Sequence, residues 1–225
     1  MINISKNPVA PASLATEKAK ANGSYREQDV VDALVSDSFN KCYLCEDSCP
    51  TTINVEHFKE HRGNRDLMFD WNNLHYSCGH CNSTKNDTFR GGSSDILNCS
   101  NPDCLVDKWI IYRLEEEDLK SRVTIMRNEE EDVTPFGTET DNTVLLLNRI
   151  YNGTGTAIRN QEAYNLRQRI QRELVAFNYE VLKYVTTSDD TAKSGIAENL
   201  RISIAADKPF AAFKRWILRD ININL

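Results

Sequence analysis

What the sequence lacks narrows it first. No segment approaches the ~18 consecutive apolar residues of a membrane span, and the opening MINISKNPVAPASL has no basic start leading into an apolar run. A cytoplasmic protein is the expectation. Positive charge is also short: 27 Lys and Arg stand against 33 Asp and Glu, for a net charge of −6. A protein that holds nucleic acid by its own field is normally basic, so unaided binding of a polyanion is disfavoured. The deficit is local, because EEED at 115–118 and EEED at 129–132 carry it, and without those runs −6 becomes +2. Such runs are solvated turns or strand edges, or else a docking surface for a basic partner. No repeat and no low-complexity tract is visible.

What is present suits one folded chain. A length of 225 residues with 40% hydrophobic and 8% aromatic content is enough to bury a core. Residues 1–25 carry Pro8, Pro11 and Gly23 with little periodicity, and read as an extended arm suited to partner docking. From Arg26 to Lys41, Val30, Val31, Leu34 and Val35 recur at helical spacing. Residues 26–95 hold the motifs. In 96–136, WIIY and VTIM flank the first acidic run and predict a hairpin or meander. In 137–225, Leu166, Ile170, Leu174, Phe177, Val181 and Tyr184 fall on one helical stripe, with shorter amphipathic segments near 192–205 and 208–220. Phe177, Tyr179, Phe210, Phe213 and Trp216 of this region serve as core, as a groove for the arm, or as a docking face. The fold class is α+β.

The seven cysteines are distributed unevenly. Cys42 and Cys45 form one Cys-x-x-Cys pair, Cys78 and Cys81 another, with 32 residues between them. Paired thiols in a reducing compartment point to metal, and four thiolates make the closed tetrahedral shell of a structural zinc. Cys49, Cys99 and Cys104 are expected to be packing thiols, or a second metal site.

Between the pairs lies VEHFKEH, 55–61, which has two readings. As His-x-x-Glu-His on a helix it would hold the zinc of a peptidase. Ile53 and Val55 instead favour a strand running into His57, and Gly63 would interrupt a helix. The order across this region is then strand, loop, strand, helix.

Taken in sequence, KCYLCE, VEHF, WNNL and CGHCNSTK resemble the HNH endonucleases, over roughly residues 42–90. More narrowly, INISKNPVAPASL, KCYLCE with VEHF, TVLLLN and FAAFKRWIL resemble the PtuB nuclease subunits of Septu anti-phage systems, including those attached to retrons. The resemblance implies a zinc-stapled ββα-metal module and phosphodiester hydrolysis. His57 would be the general base, Glu56 and Asn82 would ligate a catalytic Mg²⁺ or Mn²⁺, and Asn73 would bridge the loop and orient the histidine. Three departures stand out: Asn82 where histidine is frequent, Glu56 where aspartate is frequent, and Lys59-Glu60-His61 in place of basic-Pro-basic. The implied partners are an ABC- or SMC-like ATPase of the PtuA kind, a nucleic-acid substrate, and a retron reverse transcriptase with its RNA–DNA hybrid. Across 56–90 five bases (Lys59, Arg62, Arg65, Lys85, Arg90) meet five acids. Either Lys85, Arg90 and Arg62 cluster on the substrate or a partner delivers it. His80 is expected to be an exposed knuckle residue, His75 to be strand packing, and His61 to touch phosphate or to be idle. The non-enzymatic alternative is a zinc-stapled interaction module that has lost catalysis.

Overall fold

A computed structural model describes residues 1–89, 95–117, 120–153 and 155–225, so Arg90 and Asp118 lie outside the described residues. The element order is α1 (Ala12–Lys18), α2 (Gln28–Asp37), β1 (Ile53–His57), α3 (Arg65–Met68), β2 (Leu74–Cys78), α4 (Gly79–Thr88), α5 (Val106–Trp109), β3 (Ile110–Glu117), β4 (Lys120–Arg127), α6 (Gly137–Asn152), α7 (Ala157–Thr186), α8 (Asp190–Ser203) and α9 (Ala211–Asp220). Two antiparallel pairs, β1–β2 and β3–β4, supply the sheets. The fold is mixed α+β with a helical C-terminal third. None of the described helices is long and apolar enough to cross a membrane.

The expected hairpin is β3–β4, with Tyr112 opposite Ile125 and Leu114 opposite Val123. One edge of β4 is satisfied by side chains rather than by a third strand. Asn148 and Asn152, one turn apart on α6, donate to the carbonyls of Ile125 (2.8 Å) and Val123 (2.7 Å). Trp216 of α9 caps the neighbouring strand by donating its indole N–H to the Ile110 carbonyl at 2.7 Å. The stripe read on α7 is buried from Leu166 through Val181. Phe177, Phe210, Phe213 and Trp216 are core, whereas Tyr179 is exposed.

One core runs from the cysteine pairs through β3, β4, α6, α7 and α9. The stretch carrying Cys42 and Cys45 is therefore fused to the C-terminal helices rather than tethered to them. Phe210 and Ala212 donate their N–H groups to the carbonyl and carboxylate of Glu46, at 3.4 and 3.3 Å. A second core joins Leu14, Val30, Leu34, Val55, Trp71, Leu74 and Tyr76, so α1 and α2 cover the outer face of β1–β2.

The first 25 residues, read as an extended arm, lie on this chain itself. Met1 and Ile2 are fully buried in the main core, and the Met1 ammonium pairs with Glu46 at 2.8 Å. Asn3 donates into the 99–104 turn, to the carbonyls of Asn101 (3.2 Å) and Cys104 (2.5 Å). Lys6 donates to the Leu74 carbonyl at 2.6 Å and lies 3.8 Å from the Trp71 ring centre. Two prolines removed helical periodicity from the sequence, but the apolar residues between the polar ones still had a surface of their own chain to cover. Removing residues 1–5 is therefore expected to destabilise the whole fold, since truncating a buried Met or Ile costs ~2–5 kcal/mol each. Urea denaturation checks this, and an unchanged midpoint would mean that the segment is dispensable.

Candidate metal centre and hydrolytic site

Cys42 and Cys45 lie in the tight turn after α2, Cys78 ends β2, and Cys81 sits in the first turn of α4. All four are buried and unoxidised, and their sulfurs lie within 4.8 Å of one another. A tetrahedral zinc with ~2.3 Å bonds has S···S edges of about 3.8 Å; Cys45 and Cys78 Sγ are 4.0 Å apart. The Cys81 N–H donates to Cys78 Sγ at 3.4 Å, so one ligand also caps the helix that carries another. Burial opposes ionisation of Cys42, but hydrogen bonds from Cys45, Cys78 and Cys81 outweigh it and hold that thiol well below the usual range. Burial and the neighbouring sulfurs push Cys81 well up. Four buried sulfurs this close together are a donor set that a dication would hold as thiolates, and an all-sulfur set suits zinc over magnesium. Among the described residues these four form the group of cysteine, histidine and carboxylate side chains placed to hold a metal. Cys99 and Cys104 are buried packing thiols, and Cys49 is exposed.

The antiparallel register sets Glu56 opposite His75 and His57 opposite Leu74. Alternation along β1 then turns Glu56 and His57 to different faces. Glu56 faces inward under α4 and is 4% exposed. The Tyr43 hydroxyl donates to its Oε2 at 2.7 Å, and Lys85 pairs with its Oε1. The Lys85 ammonium also donates to the carbonyls of His57 and Phe58, both at 2.8 Å, which uses all three of its protons. Lys85 is thus a buried tie between α4 and the end of β1. It does not face substrate, contrary to the expected surface cluster. Burial raises the Glu56 pKa, with Lys85 and Tyr43 acting the other way. His75 packs beside them, stacked on Tyr43 at 4.7 Å, and neither ring nitrogen has a hydrogen-bond partner. Burial holds it well below the usual histidine range, so it is a neutral packing group.

Because Lys85 and Glu56 neutralise each other without water, removing one partner leaves a bare buried charge. Lys85→Met is expected to cost roughly 3–5 kcal/mol of stability. Chemical denaturation checks the figure, and a loss below 1 kcal/mol would mean that the pair is not closed to solvent.

His57 lies where β1 ends, not on a helix. Its Nε2 is 3.0 Å from the Met68 carbonyl oxygen. A carbonyl only accepts, so Nε2 carries the proton and Nδ1 keeps its lone pair. Burial lowers the His57 pKa, and His61, Lys85 and Arg26 repel the charged form further. Asn73, buried at the foot of the loop, accepts from the Lys59 N–H at 2.7 Å and donates to the carbonyls of Lys59 and Leu67 at 2.9 Å. It closes the 59–67 loop and so holds the segment whose next carbonyl, that of Met68, fixes the His57 ring.

His57 opens on a cavity of about 350 Å³ that is also lined by Tyr25, Arg26, His61, Arg62 and Asn82. Asn82 follows Cys81, the last of the four clustered cysteines, on α4. The ring centres of Tyr25 and His57 are 4.6 Å apart in an edge-to-face arrangement, and the His61 ring centre is likewise 4.6 Å from that of His57. Tyr25 and Arg26 are more than 30 residues upstream, and no local spacing links them to the motif. Asn86, also on the wall, is one helical turn past Asn82 and was legible as i+4. His80 is not an exposed knuckle residue: its ring reaches Glu162 at 3.0 Å and the Ile150 carbonyl at 2.8 Å, pinning α4 to α6 and α7.

Fold and site together define a mixed α+β protein with a four-cysteine cluster that could hold a metal, beside a histidine-lined cavity whose wall includes Asn82, the residue after Cys81. No family model matches the chain. Among curated proteins it is similar to the Septu protein PtuB of Bacillus thuringiensis, with 31% identity over 133 residues, covering 53% of this chain and 51% of that protein. The chain thus spans about half the length of the curated relative it matches. The narrower of the two resemblances read from the motifs is supported.

Proposed function

We propose that the chain is a metal-dependent HNH endonuclease that hydrolyses phosphodiester bonds of nucleic acid as the effector of an anti-phage defence system, together with an ATPase partner. The observation that carries this reading is the His57 ring, held by Met68 with Nδ1 free, on a strand–strand–helix unit anchored by four cysteines. Phosphodiester hydrolysis requires attacking water to lose a proton, and a neutral imidazole with an exposed lone pair is suited to take it. His57 Nδ1 takes that proton, and Asn73 positions His57 through the loop. Asn82 Oδ1 is the hard donor at the cavity that would help hold Mg²⁺ or Mn²⁺, and the Glu56 carboxylate would join it on release from Lys85 or Tyr43. Such a cation supplies charge neutralisation at the phosphate and the leaving oxygen. The similarity to a Septu protein supports the defence role, and the motif resemblance implies as partners an ATPase of the PtuA kind and a retron reverse transcriptase with its RNA–DNA hybrid.

Electrostatics support delivery of the substrate by that partner. Lys85 is buried, Arg62 pairs with Glu60 at 3.2 Å, and Arg65 caps the carbonyl end of α1. Among the described residues, few cations of the module are left to hold a polyanion. The test is a cleavage assay on DNA and on RNA with Mg²⁺ or Mn²⁺, with and without the ATPase. Metal-dependent cutting that the ATPase strengthens is the expected result, and no cutting under either condition would refute the reading.

One observation favours the non-catalytic alternative. Both Glu56 oxygens are already engaged, by Lys85 and Tyr43. A zinc-stapled module of that kind would bind no Mn²⁺ in the cavity, whereas a nuclease would bind it in a manner weakened by Asn82→Ala. Electron paramagnetic resonance of added Mn²⁺ separates the two.

A further inference from the structure

The loop after β1 turns through His61 and Asn64, whose N–H donates back to the His61 carbonyl at 2.7 Å. Its two central residues, Arg62 (φ 44°) and Gly63 (φ 85°), have left-handed backbones. That is the geometry of a primed turn, for which glycine is the low-cost residue. The turn aims the Gly63 N–H at His61 Nδ1, 3.1 Å away. A backbone N–H can donate only to a nitrogen that holds its lone pair, so the proton of the neutral His61 ring is on Nε2.

The two rings of the cavity are therefore set in complementary ways by the backbone. His57 has its Nε2 proton spent on Met68 and presents Nδ1 as an acceptor. His61 has its Nδ1 spent on Gly63 and presents Nε2–H as a donor. Their ring centres are 4.6 Å apart on the wall of one cavity, close enough for one phosphodiester to meet both. The charged lining is balanced, Arg26 and Arg62 against Glu56 and Glu60, so a phosphate here would be met by the two ring nitrogens rather than held by net charge.

We propose that His61 is a second catalytic residue: a neutral hydrogen-bond donor, through Nε2–H, to a non-bridging oxygen of the scissile phosphate, opposite His57 as base. This inference rests on the nuclease reading and adds to it a named donor. In the step, water forms the new O–P bond while its proton passes to His57 Nδ1, and the bond from phosphorus to the leaving oxygen breaks with its electron pair staying on that oxygen, which takes a proton from solvent. His61 keeps its proton throughout. Its donor is fixed before the reaction and strengthens as negative charge builds on the phosphoryl oxygen, which is how preorganised donors accelerate acyl and phosphoryl transfer. Because Gly63 occupies Nδ1, the ring acts as a neutral donor and not as a proton-delivering imidazolium.

The test combines spectroscopy with kinetics on the full chain. Nitrogen-15 spectra of the histidine rings at neutral pH should show the proton of both His57 and His61 on Nε2. A His61 ring protonated on Nδ1, or on both nitrogens, overturns the proposal without touching the nuclease reading. In cleavage of DNA and of bis(p-nitrophenyl) phosphate with Mn²⁺, His61→Ala should lower kcat by ~10²–10³-fold with little change in KM, the loss associated with one oxyanion donor. His61→Gln, which restores an N–H near the Nε2 position, should recover most of that loss, and the pH–rate profile should keep its shape in both variants. Equal rates for Ala and Gln, or the loss of one limb of the pH profile, would each overturn the donor role. If the wild-type chain cleaves neither substrate, with or without the ATPase, the nuclease reading falls and this proposal falls with it.

Discussion

Chelating the metal, or replacing Cys42 or Cys81 by serine, is expected to abolish the cooperative melting transition of the whole chain. Structural zinc in small sites contributes ~10–16 kcal/mol that is inseparable from folding, against a net stability of about 5–15 kcal/mol for a typical domain. Here the effect should not stay local. The four cysteines belong to the same continuous core as Ile110, Leu146, Ile170 and Phe213, so a collapsed knuckle exposes the base of the C-terminal helices. The measurement is a thermal scan paired with zinc content by elemental analysis. A metal-free protein that keeps its transition would overturn the four-cysteine assignment.

The second large effect concerns His57. His57→Ala should lower cleavage by at least ~10²–10⁴-fold, the usual contribution of a positioned general base, while melting temperature and zinc content stay unchanged. Folding is spared because the ring is only partly buried and its one polar bond, to Met68, is at the edge of the loop. Glu60→Ala should matter far less, since Glu60 lies beyond β1 and pairs with Arg62. The opposite pattern, with Glu60→Ala inactive and His57→Ala stripped of zinc, would restore the peptidase reading. The backbone opposes that reading, because His57 ends a strand and residues 62–63 form a turn where a helix would have to continue.

Some of this was legible in the residues and some was not. The Cys-x-x-Cys pairs were readable because a four-ligand metal shell imposes a strict spacing, and the sulfurs are gathered as expected. Ile53 and Val55 announced β1, and Leu166 through Val181 announced α7, because periodicity survives wherever one face is buried. Charge was misread for a physical reason. Lys85 looks like any exposed helical lysine in sequence, yet it is 2% exposed, since its partner Glu56 is 29 residues away and only the fold unites them. The N-terminal segment hid its role similarly. Its anchors, Met1 and Ile2, are two residues with no period to detect, and the surface they fill is built by residues as distant as Tyr112. Tyr25 and Arg26 enter the cavity by the same long-range route.

Helix α4 carries Cys81, Asn82, Lys85 and Asn86 within its ten residues. Each has a different destination: the metal centre for Cys81, the cavity for Asn82 and Asn86, and the buried carboxylate for Lys85. A single residue inserted after Cys81 would rotate everything downstream by about 100°, turning Lys85 from Glu56 and Asn82 from the cavity while leaving the composition almost unchanged. The position of Cys81 in the four-cysteine cluster thus sets the phase of the helix. A chain of this design should accept many substitutions along α4 but hardly any change in its length, and a deep insertion scan would show it as a short interval of intolerance beginning at the last cysteine.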